Sequence, residues 1–143
     1  MSGATVLQNG RAKAYRPLPA ADRRRAFDAA LAAYANGDFF ETHELLEPAW
    51  MGTADLAERA LHQGLIKLAA AFVHGVRGNP AGIAKNLAGA REHLAAAVGT
   101  PPAAASGLDV SALLGAIDER LARLAANPGD ASIDAPDLPR SRS

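Results

Sequence analysis

The sequence predicts an all-α protein: a compact bundle of about five helices with an extended N-terminal arm and a disordered C-terminal tail. Three observations predict it. Apolar residues recur at helical spacing in five separate stretches. Several of those stretches open on a residue that caps helices, and Gly or Pro stands in most of the connections. Apolar residues make up 49% of the 143 residues and aromatics only 5%, so the core is built from alanine and aliphatic side chains of high helix propensity. That length suits one domain. The boundaries read as an arm over 1–19, a helical domain over 20–126 and a tail over 127–143.

The arm has two prolines and no helical period. Arg11, Lys13 and Arg16 make it mildly basic. The first helix covers 20–36, with Phe27, Ala30, Leu31 and Tyr34 inward, and Asn36-Gly37 stops it. The second starts at Asp38, which forms a capping box with Glu41. It presents Phe39, Phe40, His43, Leu46, Glu47 and Trp50 on one broad face and ends near Trp50, with Pro48 in its last turn. Thr53 or Asp55 caps a third helix that runs to about Val76. One of its stripes is Leu61, Leu65, Leu68 and Phe72; another carries Gln63, Lys67, Ala70 and His74. His62 reads as a satisfied core or boundary histidine. Asn79-Pro80 is a cap followed by Pro at the first helical position, and a fourth helix runs to about Val98. Residues 99–107 read as a loop. Asp109 or Ser111 caps the fifth helix, with Leu113, Leu114, Ile117, Leu121 and Leu124 inward. The Pro-, Asp-, Ser- and Arg-rich segment that follows has the composition of a disordered tail.

Charge balances, 15 basic against 15 acidic residues, so no global field favours nucleic acid or an anionic membrane. There are no cysteines, which removes disulfides, thiolate metal sites and cysteine nucleophiles. No apolar run reaches the roughly 20 residues of a membrane span. The expectation is a cytoplasmic protein with no nucleic-acid or membrane partner. The alanine-rich surfaces and the glycines of the fourth helix point to a homodimer.

The second helix is where the chemistry concentrates. Its inward face cannot turn to water without exposing the only Trp, so it carries His43 and Glu47 inside. Burying such groups is costly unless they are paired. Gln63 and Lys67 on the next helix are expected within reach, and Gln63 both donates and accepts. The candidate pocket is Glu41, His43, Glu44, Glu47, Trp50, Gln63, Lys67, His74 and Asn79. Two readings stay open. In one, the helix with His43 and the helix with Gln63 form a polar pocket for a small molecule or a metal ion, with His43 and Glu47 as the candidate ligands. In the other, the His/Glu network only fixes packing in a non-catalytic structural or interaction module. No phosphate loop, nucleophile elbow or zinc motif is present, so neither a reaction nor a cofactor follows.

Three stretches carry a resemblance: N-G-D-F-F-E-T-H-E-L-L-E-P-A-W, then H-Q-G-L-I-K-L-A-A-A-F-V-H, then G-N-P-A-G-I-A-K-N-L. Over about residues 26–94 the chain resembles the domain of unknown function 309 family, small all-helical prokaryotic domains with an F-x-E-x-H-E-x-x-E-x-x-W helix. Glu41, His43, Glu44, Glu47 and Trp50 match that motif. Gln63, Gly64, Leu65 and Ile66 match a Q-G-L-I-Q-type helix, and Gly78, Asn79 and Gly82 match a glycine–asparagine turn. The chain departs at Lys67, where Gln is expected, at His62, where an apolar residue is expected, and at Ile83, where Ala is expected. The resemblance implies a helical domain and no established activity, beyond a loose hydrolase or metal label.

Overall fold

The computed structural model describes residues 5–8, 11–76, 78–130 and 132–141, without the side chains of 5–8, 11–14 and 74–76. Six helices follow one another: α1 (Ala20–Ala35), α2 (Phe39–Met51), α3 (Leu56–Val76), α4 (Pro80–Ala97), α5 (Pro101–Ala105) and α6 (Val110–Ala126). The body is all-α, as the periodicity requires. The arm is extended and forms a small antiparallel hairpin, β1 (Thr5–Gln8) with β2 (Arg11–Ala14), pairing Thr5 with Ala14. The side chains of Arg11 and Lys13 lie outside the described residues.

The helix starts come from local side-chain chemistry. Each of the first backbone amides of a helix lacks a carbonyl partner, and a short polar side chain supplies one. Asp38 accepts from Glu41 N at 3.3 Å. Asp55 accepts from Glu58 N at 2.9 Å, with Thr53 Oγ1 accepting from Asp55 N in turn. Asn79 accepts from Gly82 N at 3.1 Å, and Asp109 from Ala112 N at 3.0 Å. Between α1 and α2 the chain reverses at Gly37, whose φ of +76° lies where a side chain would be strained.

α3 is the central element. It packs on α2 and, most extensively, on α4, while α1 packs on α2 and α6 on α4. Trp50, Leu46, Leu68, Ile83, Leu87 and Leu94 are fully buried where these layers meet. α3 and α4 come close because position 64 is glycine. A methyl there would lie 2.5 Å from Leu94 Cγ.

The structure differs from the sequence expectation in three places. Phe40 was expected inward and is 62% exposed. Phe39, one residue earlier, takes the inward position, 5.2 Å from the Tyr34 ring and 5.8 Å from the Phe72 ring. The helical rotation of about 100° per residue then turns Phe40 out. The stretch 99–107 holds a short helix, α5, because Pro101 and Pro102 occupy first-turn positions that need no amide hydrogen.

The C-terminal segment also departs from the expected disorder. It has no helix, as its composition implies, yet it packs. Ile133 and Pro136 are buried against the body. Tyr34 donates to the Pro136 carbonyl at 2.7 Å, Asp109 N to Pro139 O at 2.8 Å, and Ser141 N to Gly107 O at 2.9 Å. Its spaced apolar residues pack on the core while Asp134 and Asp137 between them stay exposed. At the other end of the chain, Arg16 N and Leu18 N donate to Met51 O and Gly52 O, so the base of the arm is fastened to the end of α2.

Candidate functional site

α2 and α3 run antiparallel. Phe39 meets Phe72 at one end, with ring centroids 5.8 Å apart. At the other, the Arg59 guanidinium lies 5.8 Å from the centre of the Trp50 ring. Between these two contacts, the turn holding His43 and Glu47 comes level with the turn holding Gln63 and Lys67.

Gln63 is only 5% exposed, and its Oε1 is buried without a hydrogen-bond partner. His43 is half-buried, and its Nδ1 is likewise buried and unpartnered. Glu44 Oε1 stands 3.4 Å from that nitrogen. The approach is too poorly aligned for a hydrogen bond, so it counts as an ion pair only when the ring is protonated. Arg59, one turn before Gln63, is the third such residue. Its Nε is buried without a hydrogen-bond partner, and burial lowers its pKa. Leaving buried polar atoms unmatched costs roughly 1–3 kcal/mol each; α2 and α3 carry these three and a fourth, Nδ1 of His62 on α3.

The remaining candidates are placed as follows. Glu47 and Lys67 are half-buried, and both are partnered. The Lys67 stem lies along α4, 3.5 Å from where a methyl on Gly89 would stand. His93 is half-buried on the same edge of α4; burial lowers its pKa, Glu92 opposes that shift and Lys67 adds to it. Trp50 is core, 2% exposed. Glu41 and Glu44 lie exposed on the outer side of α2. Asn79 serves as the cap of α4, beyond the end of α3. The side chain of His74 lies outside the described residues. Among the described residues no three His, Asp or Glu are gathered as metal ligands.

Two cavities lie elsewhere. One, of about 770 Å³, is between α1 and the C-terminal segment. The other, of about 520 Å³, is a groove open to solvent between α1, α3 and α5 and bordered by His62.

His62 is buried, as expected, but it is not satisfied. Its Nδ1 has no hydrogen-bond partner, and its Nε2 is 3.9 Å from Glu58 Oε2. Glu58 in turn is held by Arg23 (Nε to Oε2, 2.7 Å) and by Thr53 (Oγ1 to Oε1, 3.2 Å). Sequence reasoning missed Arg59 and the Glu58–His62 pair. Both have a signal: Arg59 is four residues before Gln63, and Glu58 four before His62, the spacing that puts side chains together on a helix.

Residues 27–86 match the family described as Domain of unknown function (DUF309). The chain is similar to this family over that stretch. The match spans α2, α3 and their loop, with most of α1 and the start of α4. The facing turns of α2 and α3 therefore lie wholly inside the matched segment, whereas α5, α6 and the C-terminal segment lie outside it. Neither the curated proteins nor the solved structures yielded a match to the chain.

Proposed function

We propose that this domain binds a small polar molecule against the facing turns of α2 and α3. The observation that supports this most is Gln63 Oε1, a buried acceptor with no donor, one helical turn from Arg59 Nε, a buried donor with no acceptor. A group that both donates and accepts would match the two together, and a carboxamide is the simplest such group. A carboxylate would answer Arg59 and leave Gln63 unmatched. Half-buried His43, on α2, would stand at the edge of the same surface. Unpaired polar atoms held inside a fold are a stability cost that binding sites carry because the ligand supplies the missing bonds.

A second reading has an observation of its own. The unpaired atoms are closed to water, which suits an internal network that fixes how the helices pack. A probe titration separates the two. Amide spectra of the full chain would be recorded with acetamide, acetate and Zn²⁺ as separate probes at millimolar concentration. Ligand binding predicts saturable shifts around His43, Arg59 and Gln63 with acetamide, weaker ones with acetate, and loss of the acetamide shifts, but not of the acetate shifts, in Gln63→Met. No saturable shift with any probe would favour the packing network. Shifts with Zn²⁺ alone would restore the metal reading.

A further inference from the structure

The open cavity between α1, α3 and α5 has a different character from the α2–α3 surface. Its volume, about 520 Å³, falls in the range of roughly 300–1,000 Å³ common to small-molecule sites. Phe27, Leu61, Pro101 and Ala105 give it an apolar lining.

Its charged groups are already matched to one another. Arg23 holds both oxygens of Glu58, at 2.7 and 3.3 Å, and its remaining arm donates to Leu18 O. Arg24 reaches Asp28 and donates to Ala105 O at 3.0 Å. Asp55 is committed to capping α3. The hydroxyl protons are committed too: Thr100 donates to Ala97 O, and Ser106 to Ala103 O. Among the described lining residues, one buried side-chain atom is left unmatched, Nδ1 of His62, a residue 3% exposed.

The protonation of His62 follows from its surroundings. Burial pushes its pKa down to about 4; Glu58 opposes the shift and Arg23 adds to it. The ring is therefore neutral at pH 7, with one nitrogen donating and the other accepting. Nε2 faces the Glu58 carboxylate, which favours the proton on that side. Nδ1 is then the acceptor. It is buried, on a residue that lines the cavity, so a turn of the ring is needed for it to meet a guest.

We propose that this cavity is a second binding site, for an uncharged, largely apolar molecule carrying one hydroxyl or N–H donor that His62 Nδ1 receives. A charged ligand would have to break the Arg23–Glu58 pair to find a counter-ion. A metal ion would compete with Arg23 and Thr53 for the oxygens of Glu58. A neutral donor displaces none of these.

Phenol, toluene and benzoate test this on the full chain at pH 7, where phenol is neutral and benzoate charged. Phenol is expected to shift the backbone amides of Leu61, His62 and Ala105 saturably, and to move the Nδ1 resonance of His62. Benzoate is expected to bind about tenfold more weakly or worse, the ratio that one unmatched charge or hydrogen bond produces. Ala105→Leu, which fills the cavity, abolishes the phenol shifts. His62→Leu weakens phenol about tenfold and leaves toluene little changed. The proposal is overturned if phenol gives no saturable shift, if benzoate binds as tightly as phenol, or if the phenol shifts survive Ala105→Leu. Should His62→Leu not fold, a static Nδ1 resonance in the phenol-saturated wild type is equally fatal. Acetamide reports on α2 and α3 separately, so failure here leaves the reading of that surface standing.

Discussion

Replacing Gly64 by alanine tests the packing on which both sites rest. The added methyl would lie 2.5 Å from Leu94 Cγ, 2.7 Å from Cδ2 and 3.2 Å from the Leu94 backbone nitrogen. Leu94 is fully buried and has no free rotamer to retreat into, and its backbone belongs to α4. The helices must therefore separate. Overpacking of this kind costs roughly 1–3 kcal/mol. Alanine recovers up to about 1 kcal/mol of helix propensity, leaving a net loss of about 1–2 kcal/mol. Gly89 on the facing helix is the control. A methyl there meets only the Lys67 stem, at 3.5 Å and beyond, so Gly89→Ala should gain about 0.5–1 kcal/mol from propensity alone. Urea melts of the two variants read the difference directly. The reasoning is refuted if Gly64→Ala is as stable as the wild type, or if both variants move in the same direction.

Three further outcomes follow from the same geometry. The unfolded chain takes up a proton at the ordinary histidine value of 6.5, whereas buried His62 resists until about 4; stability is full above that ordinary value and should fall by about 2 kcal/mol by pH 5, a loss that equilibrium melts of His62→Leu should lack. Tyr34→Phe leaves the Pro136 carbonyl without its 2.7 Å donor and should cost about 1–2 kcal/mol, with faster proteolysis of the C-terminal segment as the second readout. Asp109→Ala removes the acceptor for Ala112 N and should cost about 1 kcal/mol, measured by thermal melts against Ser111→Ala, which should be nearly silent.

The fold was legible where the chain states its own structure locally. Asp38, Asn79 and Asp109 cap helices because short side-chain acceptors sit one turn before amides that need them, and sequence shows both. The apolar stripes of α3 and α4 are legible for the same reason. The C-terminal segment was not. Its composition describes an unattached chain, and what holds it comes from distant residues, Tyr34 of α1 at Pro136 and Asp109 and Arg120 at Pro139 and Asp134, which no local pattern announces. His62 was misread for a related cause. Spacing shows that a histidine is buried, but whether each ring nitrogen has a partner depends on Arg23 and Thr53, which claim Glu58 from other elements. On α2 and α3, sequence pointed to His43, Glu47, Gln63 and Lys67; His43 and Gln63 carry unpartnered buried atoms, and the Lys67 stem lies along α4. It passed over Arg59, because an arginine at the start of a helix looks like a solvated charge until Trp50 is seen beneath it.

Gln63 Oε1 has no hydrogen-bond partner inside the protein, and the proposed function requires that it be kept for a ligand. The stability of Gln63→Met tests this most directly. Methionine has a similar length and no group to leave unmatched, so if the Gln63 carbonyl is unpaired in the free protein, the substitution removes a cost. The expected result in denaturant melts is unchanged stability or a gain of about 1 kcal/mol, together with loss of acetamide binding. If the amide instead belongs to a complete internal network, the partners it abandons would be stranded, and Gln63→Met would destabilise by about 2 kcal/mol or more. That loss would contradict the claim.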